Sequence, residues 1–277
     1  MNPDLAVVLA VPLGLVIGLA VGMLGGGGSI IAVPLLVYGF GQDVVAATTG
    51  SLVVVGWTAM AGSIGHHRAG RVRWVDGLVF GLLGAGGAYL GSRASVAVPQ
   101  AVLLAAFAVL LVVVAVLMTR RRRAQARAAD AGSGAQGGVR PGVEQAAAAR
   151  RTGRHRLLVV TTATGVGLLT GFFGVGGGFA VVPALVLALG MGMTTAVGTS
   201  LVVITVNTVV ALLSRLSQPV DLDPVFLLVF GASAVIGSLL GVRTAGRVAP
   251  ARLSLAFTVL LLVIAVFTGV RSVTELL

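Results

Sequence analysis

The chain has 277 residues, of which 57% are hydrophobic and only 10% charged, and its formal net charge is +11. A soluble domain needs about 25% charged residues to wet its surface, so this composition excludes a water-soluble globule. It points to an all-α protein that crosses the membrane many times, in keeping with a mean hydropathy of +1.07. Cysteine is absent, which excludes disulfides, thiolate metal sites and a cysteine nucleophile.

The first apolar run, 5–24, has no basic stretch before it and no small-x-small cleavage site after it. It is therefore expected to stay in the mature protein as a span. Gly25-Gly26-Gly27-Gly28 follows, then a short apolar segment at 30–40, then full-length runs at 44–65, 75–91 and 101–118. The stretch 119–156 opens on Arg120-Arg121-Arg122-Arg123 and is otherwise rich in Gly, Ala, Ser and Gln, as a disordered basic linker is. The positive-inside rule places it in the cytoplasm. It holds no aromatic residue to stack on bases, so no nucleic-acid partner is expected. Apolar runs resume at 157–173. Gly174-Val175-Gly176-Gly177-Gly178 and a second short segment at 179–189 come next, and runs at 194–213, 225–240 and 253–270 complete the chain. Three parts result: an N-terminal transmembrane repeat (1–118), the linker (119–156) and a C-terminal transmembrane repeat (157–277).

The two short segments rise only about 16–20 Å as helix, against a hydrocarbon core of roughly 30 Å. They read as half-helices. The halves also repeat: residue i lies over residue i + 149 without a gap from 18 to 54. The matches include Gly18/Gly167, Gly22/Gly171, Gly25/Gly174, Gly27/Gly176, Gly28/Gly177, Pro34/Pro183, Gly41/Gly190 and Ser51/Ser200. Farther on, Gly91 and Arg93 fall on Gly241 and Arg243. Secondary transporters are commonly built this way, with the substrate bound where the repeats meet.

If the short segments enter and return, eight spans result and the repeats run parallel. Both termini are then inside, and Arg93, Arg243, Arg247 and Arg252 are outside. If they cross, ten spans result with inverted repeats and both termini outside, together with Arg93, Arg215 and Arg271. The arginine balance does not separate the two, and segment length favours the first. The expected fold is two homologous repeats of four transmembrane helices, each with a Gly-rich broken or re-entrant half-helix.

Gly18-x-x-x-Gly22-x-x-Gly25-Gly26-Gly27-Gly28 through Pro34 and Gly167-x-x-x-Gly171-x-x-Gly174-x-Gly176-Gly177-Gly178 through Pro183 share one pattern. Thr49-Gly50-Ser51 and Gly198-Thr199-Ser200 complete it. The chain resembles the sulfite exporter TauE/SafE family, also called the 4-toluene sulfonate uptake permeases, over nearly its whole length apart from the linker. The resemblance implies a transporter of sulfite, sulfonates or related organosulfur anions in a bacterial inner membrane, working as an exporter.

The glycine clusters have a physical use. A half-helix that begins within the membrane leaves up to four backbone N–H groups unpaired, and its N-terminus carries about half a positive charge. An oxyanion satisfies both. Gly25, Gly26, Gly27, Gly28 and Ser29 in one repeat, and Gly174, Gly176, Gly177 and Gly178 in the other, are the expected substrate-binding backbone. Thr49, Gly50, Ser51, Gly198, Thr199 and Ser200 are expected beside them. Asn207, the one side-chain amide well inside an apolar span, is a further candidate, with interhelical glue as its alternative role. Gly18, Gly22, Gly167 and Gly171 are expected to pack helices, and Gly18→Ala should retain most activity if Gly18 only packs. His66, His67 and Arg68 end the second span as interfacial residues, with proton handling as the alternative.

No carboxylate falls in the middle of an expected span, so a buried acidic proton relay has no candidate. All 19 basic residues are arginine, so no Gly-Lys-Ser/Thr phosphate loop exists and ATP-driven transport by this chain alone is excluded. No catalytic residue, metal or cofactor is expected, and the chain is not read as an enzyme. The expected partners are a small anionic substrate and membrane lipid, with a homodimer admissible. A carrier of another small carboxylate or oxyanion, and an accessory subunit of a larger membrane complex, are the alternative functions.

Overall fold

The computed structural model describes residues 3–95, 100–131, 144–173, 178–215 and 222–276. Among them are ten α-helices and no strand. Helix α1 (Pro3–Leu24) is followed by the short α2 (Gly27–Pro34), which continues into a π-helical turn, Leu35–Gly39. Then come α3 (Val44–Arg68), α4 (Trp74–Ser95), α5 (Gln100–Ala131), α6 (Glu144–Phe173) and the short α7 (Gly178–Leu187). The last three are α8 (Met193–Leu213), α9 (Pro224–Arg247) and α10 (Pro250–Leu276). Six of these helices are long and apolar enough to cross a membrane, and the segments Val159–Phe172 and Gly178–Leu187 are apolar but shorter. The chain is a multi-pass integral membrane protein. Helices α5 and α6 extend into the stretch expected to be a disordered linker, and residues 132–143 lie outside the described residues.

Local chemistry sets several helix starts. Asp43 precedes α3, and its carboxylate accepts from the Val45 N–H at 2.9 Å. Asp223 caps α9 in the same way, accepting from Val225 and Phe226, with Pro224 as the first helical residue.

Helix directions follow from which residues meet. A Cβ on Gly14 would strike Phe230 and Ser233, one on Gly18 would strike Ala234 and one on Gly22 would strike Ser238, so α1 and α9 run parallel. Gly167 and Gly171 of α6 meet Gly84 and Ala88 of α4 in the same manner. These small residues let backbones touch, the usual glue between membrane helices. Helix α3 also runs parallel to α9: Trp57 covers Gly231, Ser238 donates to the Thr58 carbonyl at 3.0 Å, and Gly65 meets Val242. It runs antiparallel to α8, because Gly56 meets Thr208, Gly62 meets Leu201 and His66 meets Gly198. Helices α5 and α10 are antiparallel too. Ala108 neighbours Gly269, while Met118 and Pro250 line one recess.

Both α1 and α3 thus point the same way, and the chain between them must travel back. The expected eight-span arrangement with parallel repeats is corrected here, since it requires α1 and α3 to oppose one another. Residues 27–43 rise roughly 25 Å as helix, enough to recross most of a core of about 30 Å. The short length of the apolar run 30–40 concealed this, because the glycines before it and the residues after it extend the returning segment.

One end of the bundle gathers Arg68, Arg71, Arg73, Arg120, Arg121, Arg122, Arg123, Arg247 and Arg252. The other holds Arg93 and Arg215, with the start of α1 and the end of α10. Arg93 and Arg243, expected together on the outside, lie near opposite ends, because α4 and α9 end at opposite ends.

Candidate functional site

The break between α1 and α2 is made by Gly25 (φ 67°) and Gly26 (φ 124°). A side chain is strained in that region of backbone space, so only glycine turns the chain here without cost. Gly26 lies directly against Gly178, the first residue of α7, leaving no room for a Cβ. From this contact α2 runs toward the end where α3 begins, and α7 runs toward the arginine-rich end where α8 begins. Two helices therefore start back to back and diverge. Gly26 provides no side-chain cap for α2.

Ser200 pins the turn. Its hydroxyl lies 2.7 Å from the Gly25 carbonyl and 2.8 Å from that of Val197, and it is fully buried. Of the other glycines expected at the break, Gly28 faces α1: a Cβ there would fall 2.6 Å from Val21 Cγ2 and 2.7 Å from the Ile17 carbonyl. Its small size serves packing between α1 and α2. Gly27 and Ser29 belong to the first turn of α2. Gly174, Gly176 and Gly177 lie outside the described residues.

The two Gly/Thr-Ser elements are not used alike. Ser51, unlike Ser200, bonds back to the Thr48 carbonyl at 2.9 Å within its own helix. Thr199 accepts from the Arg73 backbone N–H at 3.1 Å, and Gly198 packs on the Arg71 carbonyl and His66. At the other end of the bundle, Thr49 accepts from an Arg215 Nη1 at 2.8 Å and Thr48 accepts from the same nitrogen at 2.9 Å. Asn207 stands apart, on the side of α8 facing Gly84 of α4. Its Oδ1 is buried with no hydrogen-bond partner among the described residues.

Two residues were missed as site residues, one beside the break and one at the other end of the bundle. His66, expected at the interface, is 0% exposed, and its Nε2 lies 3.0 Å from the Gly22 carbonyl, three residues before the break. Arg215 was read as a topology residue alone, yet it bridges α8 to Thr48 and Thr49 of α3. The two positions match at the same offset that aligns the glycines. So do their neighbours, Gly198 beside His66 and Thr49 beside Arg215. That offset was the available signal. His67 and Arg68 stay exposed as expected, and His67 accepts from the Trp74 indole N–H at 2.9 Å.

A cavity of about 430 Å³ opens beside Gly50, between α3, the π-helical turn and α9. Asp43 and Asp223 line it together with Phe226 and Phe230, whose rings stack at 5.6 Å.

Residues 10–268 match the family model described as "Sulfite exporter TauE/SafE". A "Probable membrane transporter protein" of Xylella fastidiosa strain 9a5c is 30% identical over 257 residues, covering 91% of this chain and 90% of its own. A protein of the same description from strain Temecula1 is 34% identical over 191 residues, covering 66% of this chain and 64% of its own. No solved structure matches at a significant level. With a family match that spans all but the ends of the chain, over a bundle of broken apolar helices, this protein belongs to the sulfite exporter TauE/SafE family of membrane transporters.

Proposed function

We propose that this protein is a secondary carrier or facilitator that exports small sulfur-containing anions, sulfite or organosulfonates, across a bacterial inner membrane. The observation that carries the reading is the contact of Gly26 with Gly178, which brings the N-termini of α2 and α7 to one place. A helix N-terminus presents N–H groups that its own helix does not use, together with the positive end of the helix dipole, and an oxyanion held between two such ends answers to both. Unwound backbone within a bundle is costly unless it has such a use.

An internal, inverted repeat underlies the site. It is supported by α1 on α9 being answered by α6 on α4. It is supported again by the N–H of Gln42 donating to Leu36 at 3.1 Å, where Met191 donates to Leu185 at 3.1 Å. The positive-inside rule puts the arginine-rich end in the cytoplasm and both chain termini outside. The cavity lined by Asp43 and Asp223 then faces outward. Carboxylates there repel an anion that has reached the outer mouth, which supports export.

The test is uptake of radiolabelled sulfite and taurine by inside-out proteoliposomes, with acetate and phosphate as competitors. Saturable sulfite or sulfonate flux that acetate fails to compete supports the reading. Flux of acetate or phosphate alone would move it to the alternative carrier class, and absence of any flux would favour an accessory subunit.

A further inference from the structure

His66 is the one ionisable side chain buried among the described residues. A carbonyl can only accept, so the Nε2 that meets Gly22 carries the hydrogen, and in the neutral ring Nδ1 is a bare acceptor. Nδ1 is buried and has no hydrogen-bond partner among the described residues. An ionisable group held inside a membrane bundle is expensive and marks function by default. This one sits at the junction of the α1 break, through Gly22, and the Gly198-Thr199-Ser200 turn of α8 that pins it.

Little charge surrounds it. Helix α1 presents Gly22, and α8 presents Gly198, neither titratable. On α9, Val242 packs beside Gly65, and Arg243 and Arg247 keep part of their surface free. The turn after α3 brings Arg71, whose guanidinium lies beside Gly246, while His67 and Arg68 on its own helix are exposed. At the same end, the carboxylate of Asp76 at the start of α4 is half-buried and pairs with Arg73 at 2.9 Å. The matching position in the other repeat, Arg215, carries a permanent positive charge at the opposite end of the bundle.

We propose that His66 is the proton-binding site of a proton-coupled carrier. Its Nδ1 takes one proton as the anion settles at the paired N-termini of α2 and α7, and proton and anion leave together. The proposal rests on the anion reading above. The proton comes from hydronium on the loading side and returns to water on the other, leaving the imidazole neutral. A protonated ring places a whole positive charge close to the break, and the anion supplies a counter-charge for it. Each ligand therefore favours the other, and the coupling is reciprocal.

The test uses the full-length protein in detergent with His67→Gln and His155→Gln, so that His66 is the only histidine. Nitrogen-15 histidine spectra report its protonation directly, with and without saturating methanesulfonate, which binds no proton near neutral pH, and with sulfite in parallel. Binding of both anions is also measured from pH 6 to pH 8. The expected result is that anion turns the His66 signal into that of imidazolium at neutral pH. Binding should be at least about tenfold tighter at pH 6 than at pH 8, since one linked proton allows up to about tenfold per pH unit. In His66→Gln that dependence should flatten to within about twofold. Anion that binds while His66 stays neutral overturns the proton site and leaves the anion reading standing. Failure of the protein to bind either anion overturns both.

Discussion

Ser200 on α8 holds the carbonyl of Gly25 at the end of α1, 2.7 Å away, although the two residues are 175 apart in sequence. Its counterpart Ser51 bonds only within its own helix. Ser200→Ala should therefore leave a buried carbonyl short of a partner, at a cost of about 1–3 kcal/mol, and reduce sulfite flux about tenfold. Ser51→Ala should change flux by less than about twofold. Flux in proteoliposomes, with monodispersity checked for each variant, separates the two. Equal effects would mean that the pinning of the break is immaterial.

Arg215 ties the C-terminal end of α8 to the start of α3. Arg215→Gln removes a charged donor from Thr48 and Thr49, worth about 1.5–3 kcal/mol. The KM for sulfite should rise about tenfold or more while the protein remains monodisperse. A KM within about twofold of wild type would show that this contact is dispensable.

Gly18 is a sharper case than its sequence suggests. The spacing with Gly22 speaks for packing, and alanine is a good helix former, so Gly18→Ala reads as harmless. In the bundle, a methyl there would sit inside the Ala234 backbone. Overpacking of this kind costs about 1–3 kcal/mol, so Gly18→Ala should lower the thermal midpoint by several degrees. An unchanged midpoint would mean that α1 and α9 can separate freely.

Much of this architecture is legible in the sequence, because apolar length is a direct reading of helix and glycine spacing one of close packing. Six membrane-spanning helices, the break at Gly25 and the α1 packing stripe follow from those patterns. Direction does not. The run 30–40 looks too short to recross the membrane, since the glycines before it and the polar residues Gln42 and Asp43 after it add length without apolar signal. His66 was hidden for a related reason. Beside His67, Arg68, Arg71 and Arg73 it reads as one more interfacial group, and only the packing of α1 and α8 over the end of α3 buries it. Asn207 stood out by chemistry, and it lies two turns along α8 from Ser200, with its Oδ1 reaching toward Gly84 of α4.

Topology has a direct check. With inverted repeats and the arginines inside, a phosphatase reporter fused after Leu277 should be active in the periplasm, and one inserted within 132–143 should be inactive. An inactive C-terminal fusion with an inactive linker fusion would restore the parallel, eight-span reading.

The central claim is that the N-termini of α2 and α7 together form the anion site, and Ser29→Asp tests it most directly. Ser29 is the third residue of α2. A carboxylate in the first turn of a helix stabilises that helix by about 0.3–1 kcal/mol, so the protein should fold and insert normally. The same carboxylate would occupy the positive end that the substrate needs. Sulfite flux through Ser29→Asp proteoliposomes should fall to the level of empty liposomes. Wild-type flux through a well-folded Ser29→Asp protein would contradict the claim and leave the glycine break as a packing device.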